Sequence, residues 1–91
     1  MPTISLFHGI SIRMFFNDHE PPHFHAYHAG SEARVLVATG EVISGTLGRA
    51  QRRLVRDWAL RYNKELLSAW ADVRADRLPE RIPGMDAAND G

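Results

Sequence analysis

The chain has 91 residues, a length that suits one domain with a single modest hydrophobic core. It contains no cysteine, which excludes a disulfide framework and any thiolate metal site. Its formal net charge is zero, which argues against a DNA-binding protein that is basic throughout.

The first half of the chain alternates between apolar and polar residues, and this period of two predicts short β-strands. Turn-forming residues separate the strands by short gaps, which favours an antiparallel meander over parallel crossovers. The predicted strands cover residues 3–7, 10–16, 23–28, 33–38 and 42–44. We therefore expect a meander of four to five strands.

After Gly48 the apolar residues recur with the period of a helix. We predict two helices that meet near Asn63, which can N-cap the second, or one helix that is kinked there. The fold class is α+β, with the helices packed on the sheet and a single domain over residues 1–77. Residues 78–91 include two prolines and two glycines, and we expect a disordered tail there. No signal peptide or membrane span is expected, so the predicted location is the cytoplasm.

Three histidines lie within seven residues, with His19 in the loop before the third predicted strand and His23 and His25 at the start of that strand. Because residues i and i+2 of a strand share a face, His23 and His25 should project together and can bind a divalent metal such as zinc, or a phosphate. His19 or Asp18, in the preceding loop, can supply a third metal ligand. Without a metal, the two imidazoles can act as general acid and base in a ribonuclease, with Arg13 neutralising the phosphate.

A third interpretation is structural. Paired histidines on a solvent-facing strand also occur without any chemical role, in a protein that only mediates interactions. The sequence leaves these three interpretations open, including whether the protein is an enzyme.

Positive charge is concentrated in residues 47–64, whose net charge is +5, whereas residues 1–46 carry −2 and residues 65–91 carry −3. Four arginines in this segment follow the helical spacing i, i+3, i+4 and i+7, namely Arg49, Arg52, Arg53 and Arg56. They occupy the first two turns of a predicted helix, where the macrodipole disfavours each cation by about 0.3–1 kcal/mol. We therefore expect this face to contact an acidic protein surface or a nucleic-acid backbone.

From Met1 to about Arg77 the chain resembles a small prokaryotic family, the domain of unknown function 4160. The most specific part of the resemblance is its Pro-Pro-His-x-His pattern, which falls on Pro21, Pro22, His23 and His25. A helical Glu-Leu-Leu-x-x-Trp pattern falls on Glu65, Leu66, Leu67 and Trp70. The resemblance implies no activity. It does imply a regulatory or toxin–antitoxin-type module with a partner protein encoded by a neighbouring gene.

Overall fold

The computed structural model describes residues 2–85. The elements in chain order are β1 (Thr3–Phe7), β2 (Ile10–Arg13), β3 (His23–His28), β4 (Ser31–Leu36), β5 (Val42–Gly45), α1 (Arg49–Arg61) and α2 (Asn63–Arg74). The strands form one antiparallel sheet in the order β1-β2-β3-β4-β5. The predicted α+β meander followed by two helices is therefore confirmed. No helix within residues 2–85 is long and apolar enough to cross a membrane.

Two-residue turns connect β1 to β2 and β3 to β4. Both residues of each turn, at positions 8–9 and 29–30, have positive φ angles. Such turns follow the right-handed twist of the strands that they join. The second turn fixes the register of β3 on β4, and this register places His25 opposite Arg34.

One face of the sheet is apolar and carries the core. Trp58 of α1 is fully buried, and its ring centroid lies 5.6 Å from that of Phe24 and 5.2 Å from that of Phe7. Trp70 of α2 is also buried, at 5% exposure. Both tryptophans therefore lie in the core, and the opposite face of the sheet is left for polar side chains.

The helix junction differs from the prediction in one detail. Tyr62 lies between the two helices and occupies the N-cap position of α2, without a side-chain cap. The predicted capping role of Asn63 is therefore wrong. Instead, Nδ2 of Asn63 donates a hydrogen bond to the carbonyl of Val37 at 2.9 Å. This bond joins the helix junction to the chain that follows β4.

Part of the predicted tail is packed against the domain. Ile82 is 6% exposed, and its N–H donates to the carbonyl of Ile4 at 2.7 Å. Nε1 of Trp58 donates to the carbonyl of Pro83 at 2.8 Å. An apolar side chain, one backbone–backbone hydrogen bond and one side chain–backbone hydrogen bond thus hold Ile82 and Pro83 against the domain. Residues 86–91 of that tail lie outside the described residues.

Candidate metal centre

The loop between β2 and β3 is held in place by α2. Nη1 of Arg74 donates a hydrogen bond to the carbonyl of Asp18 at 2.7 Å, and Nε1 of Trp70 donates to the carboxylate of Glu20 at 3.1 Å. The loop also contains a cis peptide bond between Glu20 and Pro21. Helix α2 thereby positions the carboxylate of Asp18 next to the first residues of β3.

Three side chains converge where this loop meets β3. Oδ2 of Asp18 lies 2.9 Å from Nε2 of His23 and 3.5 Å from Nε2 of His25. The three side chains offer one ligand atom each, and these atoms lie within 4.8 Å of one another. The His23 side chain is 1% exposed, that of His25 12% and that of Asp18 17%. The cluster is therefore closed on the His23 side and partly open beside Asp18 and His25.

Each imidazole uses its second ring nitrogen to bind an oxygen outside the cluster. Nδ1 of His23 donates to the carbonyl of Pro21 at 2.9 Å, and Nδ1 of His25 donates to the carboxylate of Glu32 at 3.3 Å. In a neutral ring with its proton on Nδ1, Nε2 carries a lone pair. Neither Nε2 forms a hydrogen bond, although both are buried and face the same oxygen of Asp18. Metal-binding histidines are commonly held by such an outer acceptor.

The surroundings of Asp18 favour the charged form of its carboxyl group. Partial burial raises the pKa of its carboxyl group, but the backbone N–H of His19, together with His23 and His25 in their protonated forms, lowers this pKa by more. The net pKa lies below the ordinary value. The His19 N–H donates to Oδ1 at 2.9 Å, which leaves Oδ2 directed at the two imidazoles. A charged carboxylate of this kind is the form that binds a cation.

Of the two predicted third ligands, the structure brings only Asp18 into the cluster. The His19 side chain is 72% exposed, and its Nε2 lies 3.8 Å from the other carboxylate oxygen of Asp18. Its Nδ1 donates to the carbonyl of Glu20 at 3.2 Å. His19 therefore lies at the rim of the cluster.

Arg13 lies opposite His25 in the register of β2 on β3, but its guanidinium group has other contacts. It stacks over the ring of Tyr27, at 4.3 Å from the centroid, and its Nε donates to the hydroxyl of Ser11 at 3.2 Å. The interpretation as an acid–base pair also requires both histidines to touch a substrate. His23 is 1% exposed and His25 is 12% exposed, so only His25 is partly accessible from solvent.

Two residues of β4 near the cluster were missed by the sequence reasoning. Glu32 accepts the hydrogen bond of His25, and Arg34 lies directly opposite His25. The signal that would have found them is the turn at residues 29–30, since a two-residue turn determines which residues of β3 and β4 face each other. Phe15 also contacts the site, with its ring centroid 4.4 Å from that of His25.

The four arginines with helical spacing line one cleft, together with the turn before β5. The cleft has a volume of about 260 Å³ and is lined by Gly40, Glu41, Val42, Arg49, Arg52, Arg53 and Arg56. Arg56 lies 3.8 Å from the carboxylate of Asp57, whereas the other three arginines form no ion pair within the described residues. The first turn of α1 contains no acidic residue, and its N-cap makes no side-chain hydrogen bond. The cleft is therefore strongly cationic.

Comparison with known proteins identifies a family. A family model described as Domain of unknown function (DUF4160) matches residues 9–71, which is more than half of the chain. The chain therefore belongs to this family, as its sequence pattern predicted. The matched region contains Asp18, His23 and His25 as well as all four arginines of the cleft. No curated protein and no solved structure shows a significant match to the chain.

Proposed function

We propose that this member of the DUF4160 family is a metal-binding protein in which Asp18, His23 and His25 hold one divalent cation of the zinc type. A donor set of two imidazoles and one carboxylate suits zinc and its first-row neighbours. The observation that carries the proposal is the orientation of the two imidazole rings. Both Nε2 atoms face one carboxylate oxygen of Asp18, and both Nδ1 atoms donate hydrogen bonds to oxygens outside the cluster.

Three protein ligands leave one position of a tetrahedral zinc site for an external ligand, as in catalytic zinc sites. Asp18 and His25 are the two partly exposed members of the cluster, so the external ligand would enter on their side. A structural zinc site, by contrast, is closed by four protein ligands. The proposed centre therefore suits a metal that binds a further molecule.

The competing arrangement contains no metal. In it, protonated imidazoles of His23 and His25 form charged hydrogen bonds with Asp18. Both arrangements agree with the short distances, but only the first needs Nε2 to be unprotonated. Uptake of metal tests the first arrangement directly, because coordination requires both Nε2 atoms to lose their protons.

Metal content tests the proposal directly. Wild-type protein without an affinity tag is incubated with zinc, desalted and measured by elemental analysis, and we expect about one zinc ion per chain. The His23→Ala/His25→Ala variant should contain almost none, because two of three ligands are removed. His19→Ala is the matched control and should keep its zinc, since His19 is exposed at the rim. A wild-type chain that holds no zinc after this treatment would contradict the proposal.

We also propose that the arginine cleft binds an acidic partner protein, encoded by a neighbouring gene, in a regulatory or toxin–antitoxin-type pair. The proposal is supported by three arginines that have no acidic partner within residues 2–85 and by the positive end of α1. A nucleic acid is the less favoured partner. The segments on both sides of residues 47–64 are acidic, and the whole chain is neutral.

Reversal of charge in the cleft should weaken this interaction. The variant Arg52→Glu/Arg53→Glu is expected to bind the co-expressed neighbouring protein at least tenfold more weakly, which corresponds to about 1.4 kcal/mol. Binding is measured by titration at several salt concentrations, and the wild-type affinity should fall as salt rises. Lys64→Glu, outside the cleft, is the control for a change of charge. An unchanged affinity in the double variant would contradict the proposal, and loss of the complex after nuclease treatment would identify a nucleic acid instead.

A further inference from the structure

Arg34 is a cation without a partner beside the candidate metal centre. It is half-buried on β4, and its Nε is inaccessible to solvent and forms no hydrogen bond. No acidic side chain within residues 2–85 forms an ion pair with it. A buried donor without a partner destabilises the folded state, and more so when it is charged. The Arg34 guanidinium, which forms no ion pair within residues 2–85, is therefore available to an anionic ligand.

The register of the sheet places this cation next to the metal ligands. Arg34 is the direct cross-strand neighbour of His25. Such neighbours on one face of an antiparallel pair have Cβ atoms about 4.5–5.5 Å apart. On the other side of His25, the guanidinium of Arg13 is already held by Tyr27 and by Ser11. Of the two arginines that flank His25, Arg34 is therefore the one available to an external ligand.

The charges around the site indicate the class of that ligand. Asp18 and Glu32 supply two negative charges, and Arg13 and Arg34 supply two positive charges, so the site without metal is balanced. A divalent cation bound by neutral imidazoles would leave an excess of two positive charges. A phosphate monoester is close to a dianion at neutral pH and would neutralise this excess, whereas a single carboxylate would neutralise half of it. Arginine also binds phosphate oxygens through two parallel N–H groups.

We propose that Arg34 and the open side of the metal centre together bind a phosphate group, so that the natural ligand is a phosphorylated molecule. This inference depends on the proposed function, since the metal supplies the excess of positive charge. One phosphate oxygen occupies the open position on the metal, and others accept hydrogen bonds from the Arg34 guanidinium.

The test is calorimetric titration of inorganic phosphate into zinc-loaded, desalted protein, with acetate at equal ionic strength as the carboxylate probe. Arg34→Gln should keep its zinc and bind phosphate at least tenfold more weakly than the wild type. Arg34→Lys should recover part of the affinity, because lysine keeps the charge but not the planar pair of donors. Arg61→Gln is the comparison variant, because Arg61 lies in the last turn of α1 and its guanidinium stacks over Tyr62, and we expect a change of no more than about threefold.

The stability of the metal-free variants separates a ligand-binding role from a structural one. Because the guanidinium of Arg34 has no ion pair or hydrogen bond within residues 2–85, Arg34→Gln should leave the melting temperature unchanged or raise it. A marked loss of stability would indicate a structural role and overturn the inference. Phosphate affinity in Arg34→Gln equal to that of the wild type would also overturn it, as would acetate binding as tight as phosphate. Zinc binding without phosphate binding would refute this inference alone, whereas failure to bind zinc would refute the proposed function as well.

Discussion

Zinc is expected to raise the melting temperature of the wild-type chain by about 10–20 °C when its free concentration is roughly 100 times the dissociation constant. At that ratio a ligand that binds only the folded state stabilises it by about 2.7 kcal/mol. In a domain of this size, 1 kcal/mol shifts the melting temperature by about 4–8 °C. The effect follows because the three ligands come together only when the loop, β3 and α2 are folded. Thermal unfolding followed by circular dichroism, with and without zinc, measures it.

Asp18→Asn is the most specific variant for this experiment. The amide has the same shape as the carboxylate but no charge, so the fold is kept while the anionic ligand is lost. We expect the shift induced by zinc to disappear, or to fall below about 3 °C. The control His19→Ala should retain the full shift. An undiminished shift in Asp18→Asn would show that zinc binds elsewhere, and its absence in the wild type would contradict the metal centre.

Replacement of Trp58 by alanine should lower the free energy of unfolding by about 3–5 kcal/mol. The side chain is fully buried between the rings of Phe7 and Phe24, and it donates a hydrogen bond to the carbonyl of Pro83. Its loss therefore leaves a cavity where α1, the sheet and the C-terminal segment meet. Since small domains are stable by about 5–15 kcal/mol, this one change removes a large fraction of the total. Urea denaturation followed by far-ultraviolet circular dichroism gives the value.

Two further variants test the reason for the Trp58 effect. Trp58→Phe keeps most of the apolar volume but loses the indole N–H, so we expect an intermediate loss. Leu60→Ala lies on the same helix but is 54% exposed, and it should change the free energy of unfolding by less than about 0.5 kcal/mol. Equal losses in Trp58→Ala and Leu60→Ala would mean that burial of the indole does not stabilise the domain.

The sheet and the helices could be predicted because they depend on local periodicity. Alternation along β3 turns Phe24 and Ala26 to one face of the sheet, and both are fully buried. The change to helical spacing after Gly48 located α1 and α2. The failure of Asn63 to cap α2 could not be predicted from local pattern, because its side-chain amide donates a hydrogen bond to the carbonyl of Val37, which is distant in sequence. Ile82 was placed in a disordered tail for the same reason, since its partner Ile4 lies at the other end of the chain.

In the candidate site, too, some features follow from local sequence pattern and others depend on tertiary packing. The pairing of His23 with His25 follows from strand geometry alone. Their different exposure does not, because the loop and Trp70 cover His23 and leave His25 at the surface of the sheet. The choice of Asp18 over the adjacent His19 depends on α2, whose Arg74 holds the loop backbone.

The sequence by itself therefore determined the family, the antiparallel order of the strands, the two helices and the candidate histidine pair. Short-range periodicity and motif spacing carry that information. Only the tertiary structure decided which carboxylate joins the histidines, which arginine lies beside them without a partner, and which residues close the arginine cleft. Those contacts join residues that are distant along the chain, and their distances depend on the packing of the loop, the sheet and the helices.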